Sequence, residues 1–387
     1  MDPLLTGEQA VLGAVLLDPH QLDRLDWLEP RDFYRPAHQA LFTALRTLRS
    51  AGHPALTAQG EVPLAWVTDS LAEASKHVRG LTAPYPHTLI AACPRPANAP
   101  VYGRMVLEGS IHRTVAEHST RLLAAADEGT RQHEVKDTVA QVDVLAGVLA
   151  DLGRRWGTQP RSQAPIAPTT ADSPAPATGQ AEDERFLLAL LVHQDRAMEE
   201  VFGWLRPGDF ADPAHGQLYR CLGALYHRGE PIDPVTALWE VQRRGLLADG
   251  TVTEEHLAAV LGNGAAGSAE WLGEQLLRGS LNRTAAVAAR HIAAHADDDR
   301  LAPGQLIGQA LHALGPVDQV RERWRTANSP PEPQPLPHAD QAARVSAALA
   351  RSPTRAANRT RPRPAAVPIP RTVTDPIIRT RPHRSPS

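Results

Sequence analysis

The sequence predicts an all-α protein that contains two copies of one small helical domain. The first observation is a motif that occurs twice: residues 27–42 read WLEPRDFYRPAHQALF, and residues 204–219 read WLRPGDFADPAHGQLY. The second is that apolar residues around each motif recur at helical spacing, while alternating β-branched residues are scarce. A repeat on this scale indicates a duplicated domain.

The doubled motif aligns without a gap at an offset of 177 residues, and it supplies the fold-defining candidates Trp27, Asp32, Phe33, His38, Trp204, Asp209, Phe210 and His215. We expect each Asp to cap a turn and each His to pack beside the next helix, which Pro36 or Pro213 begins. The tryptophans are predicted to be core anchors rather than platforms for stacked bases. The alternative for each Asp–His pair is acid–base catalysis, but no nucleophile follows at a fixed spacing.

Matching apolar positions also define an opening helix in each copy. The offset here is 176 residues, and the aligned positions are Val11, Leu12, Val15 and Leu16 with Leu187, Leu188, Leu191 and Val192. Each set is spaced for one face of a helix. In the first copy, Thr6 and Gln9 have the spacing of a capping box.

A second doubled motif predicts a helical hairpin at the end of each copy. Residues 109–114 (GSIHRT) match residues 279–284 (GSLNRT) at an offset of 170, within alanine-rich stretches. A further helix is expected over residues 131–153 and again over 303–325, where Pro303 suits the first turn. Each copy is therefore predicted to be a globular helical part followed by a hairpin.

These patterns divide the chain into four segments. Residues 1–153 and 182–325 are the two copies, 154–181 is a Pro-rich linker, and 326–387 is a tail with 13 prolines. Linker and tail cannot bury a core and are predicted to be disordered. Within the tail, residues 340–351 have the pattern of a short helix, either a docking helix or a transient one.

The charge is distributed unevenly along the chain. The net charge is −3, but residues 326–387 carry ten Arg against three acidic residues, which leaves the remainder at −10. An arginine-rich arm of this kind binds phosphates without sequence preference; the alternative is a tail that only keeps the protein soluble. The candidate nucleic-acid contacts are Arg355, Arg359, Arg361, Arg363, Arg371, Arg379, Arg381 and Arg384.

Composition argues against several other classes. Two cysteines form no disulfide framework or metal pattern, and they favour thiols in a reducing cytoplasm. His291 and His295 lack further ligands at metal spacing. No apolar run is long enough for a membrane span, and the first residues do not resemble a secretory signal. The lysines, Lys76 and Lys136, follow no glycine-rich loop, so we find no phosphate-binding motif and expect no ATPase activity, cofactor or metal.

In combination, the motifs resemble the N-terminal domain of DnaB-type replicative helicases. Residues 8–13 (EQAVLG) match its opening helix, and Asp32-Phe33-Tyr34 with His38 matches its central segment. Residues 229–233 (GEPID) match a turn kept only in the second copy, and Ala97-Asn98 with Tyr102 matches a segment kept only in the first. The resemblance covers roughly residues 5–153 and 182–325.

The resemblance implies a domain that pairs through its hairpin, contributes to a helicase collar, and contacts primase and loaders. We therefore expect a non-catalytic replication protein that binds helicase, primase or loader-type partners or associates with itself, with its two hairpins paired inside one molecule. The alternative is a nucleic-acid-binding protein whose tail contacts DNA and whose repeats serve only for assembly.

Overall fold

Helices build both copies in the computed structural model, which describes residues 2–58, 62–157, 178–262 and 266–328. No β-strand occurs in these ranges, and the predicted all-α class is confirmed. Helices extend into both ends of the predicted linker, from 154 to 156 and from 178 to 181. The middle of that linker, and the tail from residue 329 with its proposed helix at 340–351, lie outside the described residues.

The first copy consists of a small helical head and a long hairpin. Within the described residues its α-helices are α1 (Pro3–Leu17), α2 (Pro36–Ser50), α3 (Leu64–Ser75), α4 (Tyr85–Ala91), α5 (Ala99–Gln132) and α6 (Lys136–Trp156). Helices α1 to α4 form the head, and α5 and α6 form the hairpin. The left-handed conformation of His133 (φ 56°) ends α5 and turns the chain toward α6.

The second copy repeats this plan with a different head. Within the described residues its α-helices are α7 (Thr178–His193), α8 (Ala197–Val201), α9 (Pro213–Arg228), α10 (Pro234–Arg243), α11 (Glu254–Leu261), α12 (Ala269–Ala296) and α13 (Pro303–Ala327). Helices α12 and α13 form the hairpin. We call α2 and α9, which begin within the doubled motif, the central helix of each copy. A 3₁₀ turn precedes each central helix, at Pro30–Asp32 and at Pro207–Asp209.

The helix starts confirm one sequence expectation and correct another. Pro36 and Pro213 each occupy the first turn of a helix, as expected for a residue without an N–H group. The predicted capping box at Thr6 and Gln9 is wrong, because α1 begins earlier. Asp2 caps it by accepting hydrogen bonds from the backbone N–H groups of Leu4 and Leu5, at 3.0 and 3.4 Å.

The hairpins of the two copies pack against each other within the chain, as expected. Helix α5 lies along α12, and α6 lies along α13. One hydrophobic core runs continuously from the first head into this interface, where the buried residues of the second hairpin are Ala285, Ala286, Ala288, Ala289, Ile292, Ala296, Leu306, Ile307, Ala310, Leu314 and Val317. The small alanine side chains allow the long helices to approach closely. The molecule therefore has the architecture of a dimer built from a single chain.

Candidate functional site: buried clamps and the hairpin interface

Asp32 joins the head of the first copy to both helices of its hairpin. Its carboxylate is fully buried and accepts hydrogen bonds from the N–H of Glu29 at 2.7 Å and the Ser110 hydroxyl at 3.1 Å. Arg155, on α6, completes the set with an ion pair at 2.6 Å. Arg113, on α5, donates to the Asp32 carbonyl oxygen at 2.6 Å. We call this arrangement the aspartate clamp.

Asp209 forms the same clamp in the second copy. Its carboxylate accepts from the N–H of Arg206 at 2.7 Å and the Ser280 hydroxyl at 2.9 Å. Arg323, on α13, binds both carboxylate oxygens, and Arg283 donates to the Asp209 carbonyl oxygen. The residues supplied by the hairpin occupy matching places in the two copies, so the clamp was duplicated as a unit.

The histidine of each doubled motif pairs with a glutamate of the opening helix of the same copy. In the first copy, Nδ1 of His38 lies 2.6 Å from Oε2 of Glu8. In the second, Nδ1 of His215 lies 3.0 Å from Oε2 of Glu184. Each glutamate also accepts backbone N–H groups in the loop before the central helix, at Tyr34 in the first copy.

This geometry supports the expected structural roles. Asp32 binds arginine and His38 binds glutamate, so the two members of the sequence motif have separate partners instead of forming one acid–base pair. The carboxylates of Asp32 and Asp209 each accept hydrogen bonds from the head and from the hairpin of their own copy. These shared contacts fix each head on its hairpin. Burial of their guanidinium groups lowers the pKa of Arg113 and of Arg283.

Trp27 differs from its prediction as a core anchor, whereas Trp204 packs against two hydrophobic clusters of the second copy and the hairpin interface. Trp27 is 38% exposed, and its indole N–H donates to the carbonyl oxygen of Arg24 at 3.0 Å. Trp204 is only partly buried and donates to the Glu200 carbonyl oxygen. Each ring lies against a glycine in the first helix of the hairpin of its own copy. A Cβ atom at Gly103 of α5 would come within 3.2 Å of the Trp27 ring, and one at Gly273 of α12 within 2.5 Å of the Trp204 ring. The rings cover the junction between head and hairpin from outside.

One of the two positions that differ between the GSIHRT and GSLNRT motifs reaches across the hairpin interface. His112 places Nδ1 at 2.9 Å from the carbonyl oxygen of Ala296 and Nε2 at 3.1 Å from that of Leu301, at the turn of the second hairpin. Asn282 donates to the carbonyl oxygen of Glu134 at 2.9 Å and contacts the Thr138 hydroxyl at 2.7 Å. Each copy therefore holds the turn region of the other through an equivalent residue.

Several of these groups could not be assigned a role from the sequence. Residues 109–114 and 279–284 are a clear repeat, but nothing in their pattern links Ser110, Arg113 or their counterparts to the aspartates. Glu184, Arg155 and Arg323 were not among the predicted residues. A signal existed for the last two, because the pair Arg-Trp recurs at 155–156 and 323–324, an offset of 168.

Neither a membrane span nor the predicted nucleic-acid contacts are found within the described residues. No helix within the described ranges is both long and apolar enough to cross a membrane. The eight candidate nucleic-acid contacts, Arg355 to Arg384, fall beyond residue 328 and so lie outside the described residues.

Comparison with known proteins identifies the class of this duplicated domain, a helical head clamped onto a pairing hairpin. The DnaB-like helicase N-terminal domain matches residues 4–108 and 178–266. The chain belongs to this family and contains the domain twice.

Individual relatives agree with this assignment. The chain is 34% identical over 145 residues to the replicative DNA helicase DnaB of Mycobacterium leprae, which covers 36% of this chain and 22% of that protein. It is 37% identical over 142 residues to the replicative DNA helicase DnaB of Geobacillus stearothermophilus, covering 36% of this chain and 29% of that protein. The chain thus spans less than a third of the length of these relatives.

Proposed function

We propose that the chain is a non-catalytic assembly protein of DNA replication that binds helicase, primase or loader-type partners in the cytoplasm. The observation that carries this proposal is the pairing of two collar-type hairpins within one molecule. Its family membership supports a replication role, because the relatives are replicative helicases. The 387 residues contain no phosphate-binding motif that would supply a motor.

A covalently linked pair differs from two separate domains in its binding behaviour. The second hairpin is tethered at a high effective concentration, so the paired surface exists even when the protein is dilute. The clamps fix each head relative to its hairpin, and His112 and Asn282 fix the hairpins relative to each other. The chain therefore presents a preformed double-headed surface, on which a partner spends no free energy to assemble the pair.

The test is a binding measurement with the purified replicative helicase, primase and helicase loader of the same organism. The labelled full-length chain is titrated with each partner, and complexes are sized by light scattering. The interface variant is Ala289→Arg, in the buried centre of the pairing surface, and the matched control is Ala266→Arg at an exposed position. Circular dichroism checks that both remain helical.

We expect the parent and Ala266→Arg to bind at least one partner as a single chain, and Ala289→Arg to bind weakly or to self-associate. A parent chain that binds none of these partners would contradict the proposal. So would an Ala289→Arg variant with unchanged binding and dimensions, since the paired surface would then have no role.

The charge of the tail supports a second candidate, a nucleic-acid-binding protein whose repeats serve only for assembly. Residues 326–387 carry a net charge of +7. If this tail contacts phosphates, removal of residues 329–387 lowers DNA affinity and flattens its dependence on salt. Unchanged affinity and salt dependence after truncation would exclude this candidate.

A further inference from the structure

Helix α10 of the second copy exposes three large apolar side chains. Val235 is 75% exposed, Leu238 is 45% exposed and Trp239 is 69% exposed. They occupy positions i, i+3 and i+4 of one helix, so they lie next to each other on one face. We call these three residues the α10 stripe. The opposite face of α10 contributes Ala237, Glu240 and Val241 to the interior.

The fold itself does not require an exposed tryptophan here. In the first copy, the helix that follows the central helix is α3, and its Trp66 is fully buried. The Trp66 indole N–H donates to the carbonyl oxygen of Val15 at 3.0 Å. The second copy buries the small Ala237 from its own helix and leaves Trp239 outside.

A cluster of arginines surrounds Glu240, on the buried side of α10, and Arg243 extends from it toward the α10 stripe. Glu240 is 1% exposed, and it binds Arg228, Arg243 and Arg244 at 2.8, 2.6 and 2.7 Å. Although burial opposes ionisation, hydrogen bonds from these arginines lower the pKa of Glu240 to about 2. One carboxylate and the nearby Glu230 cannot neutralise three guanidinium groups, each of which has five N–H donors. These three arginines and two glutamates leave one net positive charge at the C-terminal end of α10. Asp233, the N-cap of α10, places a carboxylate at the opposite end of the stripe.

Arg243 connects the two features. It lies one helical turn beyond Trp239, and its side chain is 54% exposed. Trp and Arg are the residues that contribute most often to binding hot spots, because they combine large contact area with directed hydrogen bonds. A stripe of this kind beside spare guanidinium donors is complementary to apolar side chains flanked by carboxylates.

We propose that the α10 stripe and its arginine cluster bind an acidic amphipathic helix of a protein partner. The partner's apolar side chains cover Val235, Leu238 and Trp239, and its carboxylates pair with the outer N–H groups of Arg243 and Arg228. This inference rests on the proposed function, because it specifies the chemistry of the partner that such an assembly protein binds.

Other occupants fit less well. Single-stranded nucleic acid is bound by successive aromatic side chains on which bases stack, whereas the α10 stripe offers one aromatic ring and two aliphatic side chains. The tail of this chain carries the same sign of charge as the arginine cluster. An acidic helix satisfies both the apolar area and the charge.

The test uses the full-length chain and a fluorescein-labelled peptide of about 18 residues, long enough to form a helix, with Leu at helical spacing and Glu elsewhere. A scrambled peptide, a peptide with Lys in place of Glu, and a dT oligonucleotide of similar length serve as competing probes. The variants are Trp239→Ala and Arg243→Gln. The matched control is Trp271→Ala, which removes another exposed tryptophan, 58% exposed, beside Glu270 on α12.

We expect the acidic amphipathic peptide to bind the parent and Trp271→Ala equally, and to bind Trp239→Ala and Arg243→Gln about tenfold more weakly. Trp239→Ala and Trp271→Ala should melt at the temperature of the parent, because both side chains are exposed. Arg243→Gln should melt slightly lower, because Arg243 is one of three partners of the buried Glu240, so its peptide affinity is measured well below its melting temperature. Equal binding of the scrambled peptide, tighter binding of the oligonucleotide through the same residues, or full affinity of Trp239→Ala would each overturn the inference.

The same variants separate this inference from the proposed function. If helicase or primase binds the parent and Trp239→Ala equally well, the proposed function holds and the α10 site is wrong. If neither partner binds while the acidic peptide does so through Trp239, the α10 site holds and the proposed partners are wrong.

Discussion

The two copies in this chain can be compared group by group. Asp32 binds Ser110 and Arg155 in the first, and Asp209 binds Ser280 and Arg323 in the second, with the same backbone contact in the preceding turn. Outside these clamps the heads differ. The first copy buries a tryptophan in α3, and the second exposes one on α10. Buried polar networks tolerate little change, because any member that is lost leaves its partners unsatisfied.

The surfaces had no such constraint, and they diverged. The comparison therefore separates what the fold needs, which both copies retain, from what each copy acquired for its own contacts. The aspartate clamps belong to the first group. The α10 stripe belongs to the second. The His112/Asn282 difference lies at the interface between the copies, where each residue contacts the turn region of the other hairpin.

The largest expected effect comes from removing a clamp. Asp32→Ala leaves the Arg155 guanidinium buried without its carboxylate, at 15% side-chain exposure. Breaking such a pair costs about 3–5 kcal/mol of unfolding free energy. Asp209→Ala should cost a similar amount, because Arg323 is held in the same way. Urea denaturation followed by circular dichroism measures both.

The control for the clamp is Asp23→Ala, an exposed partner of Arg49, which should change the free energy by less than about 1 kcal/mol. If Asp32→Ala is severe and Asp209→Ala is neutral, the clamps are not equivalent and the comparison fails at its strongest point.

The second prediction concerns stability at a position where the two copies have different residues. Gly13 of α1 aligns with Ala189 of α7. A Cβ atom at Gly13 would lie 2.1 Å from the carbonyl oxygen of Leu89, because α4 packs directly on α1 there. Gly13→Ala should therefore destabilise the protein by about 1–3 kcal/mol. The reverse change, Ala189→Gly, should cost about 1 kcal/mol through helix propensity.

Gly147→Ala is the control for this pair. Gly147 lies in α6 with no atom within 4 Å of a built Cβ, so alanine should stabilise the helix by about 0.5–1 kcal/mol. A neutral Gly13→Ala would mean that α4 moves away from α1 without cost.

The hairpin interface supplies the third prediction. Asn282 is 1% exposed and holds both Glu134 and Thr138 of the first copy. Asn282→Ala leaves buried polar groups without a partner and should cost about 1–3 kcal/mol. His112→Ala should cost less, since that side chain is only partly buried. Urea unfolding with light scattering detects both the lost stability and any separation of the hairpins.

An Asn282→Ala variant as stable as the parent would show that apolar packing alone pairs the hairpins. Asn282→His refines the comparison, because it gives both copies the same residue. A destabilised Asn282→His variant would mean that the turn region of the first hairpin fits asparagine and not histidine.

Much of this fold could be predicted from the sequence because the domain occurs twice in the chain. The doubled motifs predicted the all-α class, the proline helix starts and the hairpins, since matching positions had to serve one structure. The clamps were only half predictable. Asp32 stands out by repetition, but Arg155 lies 123 residues away, and no local pattern links them. Trp27 was misjudged because a large aromatic ring can cover a glycine at the edge of a core as well as fill its centre. The roles of His112 and Asn282 could not be read from the sequence, because the groups that they contact lie on the other hairpin.

The smallest expected effect concerns pH and separates the heads once more. Glu240 in the second copy has a pKa of about 2, below its usual 4.5, because Arg228, Arg244 and Arg243 outweigh the cost of its burial. A carboxylate with a lowered pKa stabilises the folded state fully above about pH 4.5, and this contribution is lost as the pH falls toward 2.

Glu240→Gln should therefore flatten the fall in urea midpoint between pH 4.5 and 2, while Glu230→Gln, at an exposed edge of the same cluster, should change it less. The difference between parent and variant isolates this one group from the other buried carboxylates. If the urea midpoints of the parent and Glu240→Gln fall equally steeply with pH, the positions of the arginines do not depend on Glu240. The backbone of α10 would then be enough to place Arg243 beside the α10 stripe. In that case Arg243→Gln would weaken peptide binding without altering stability at acid pH.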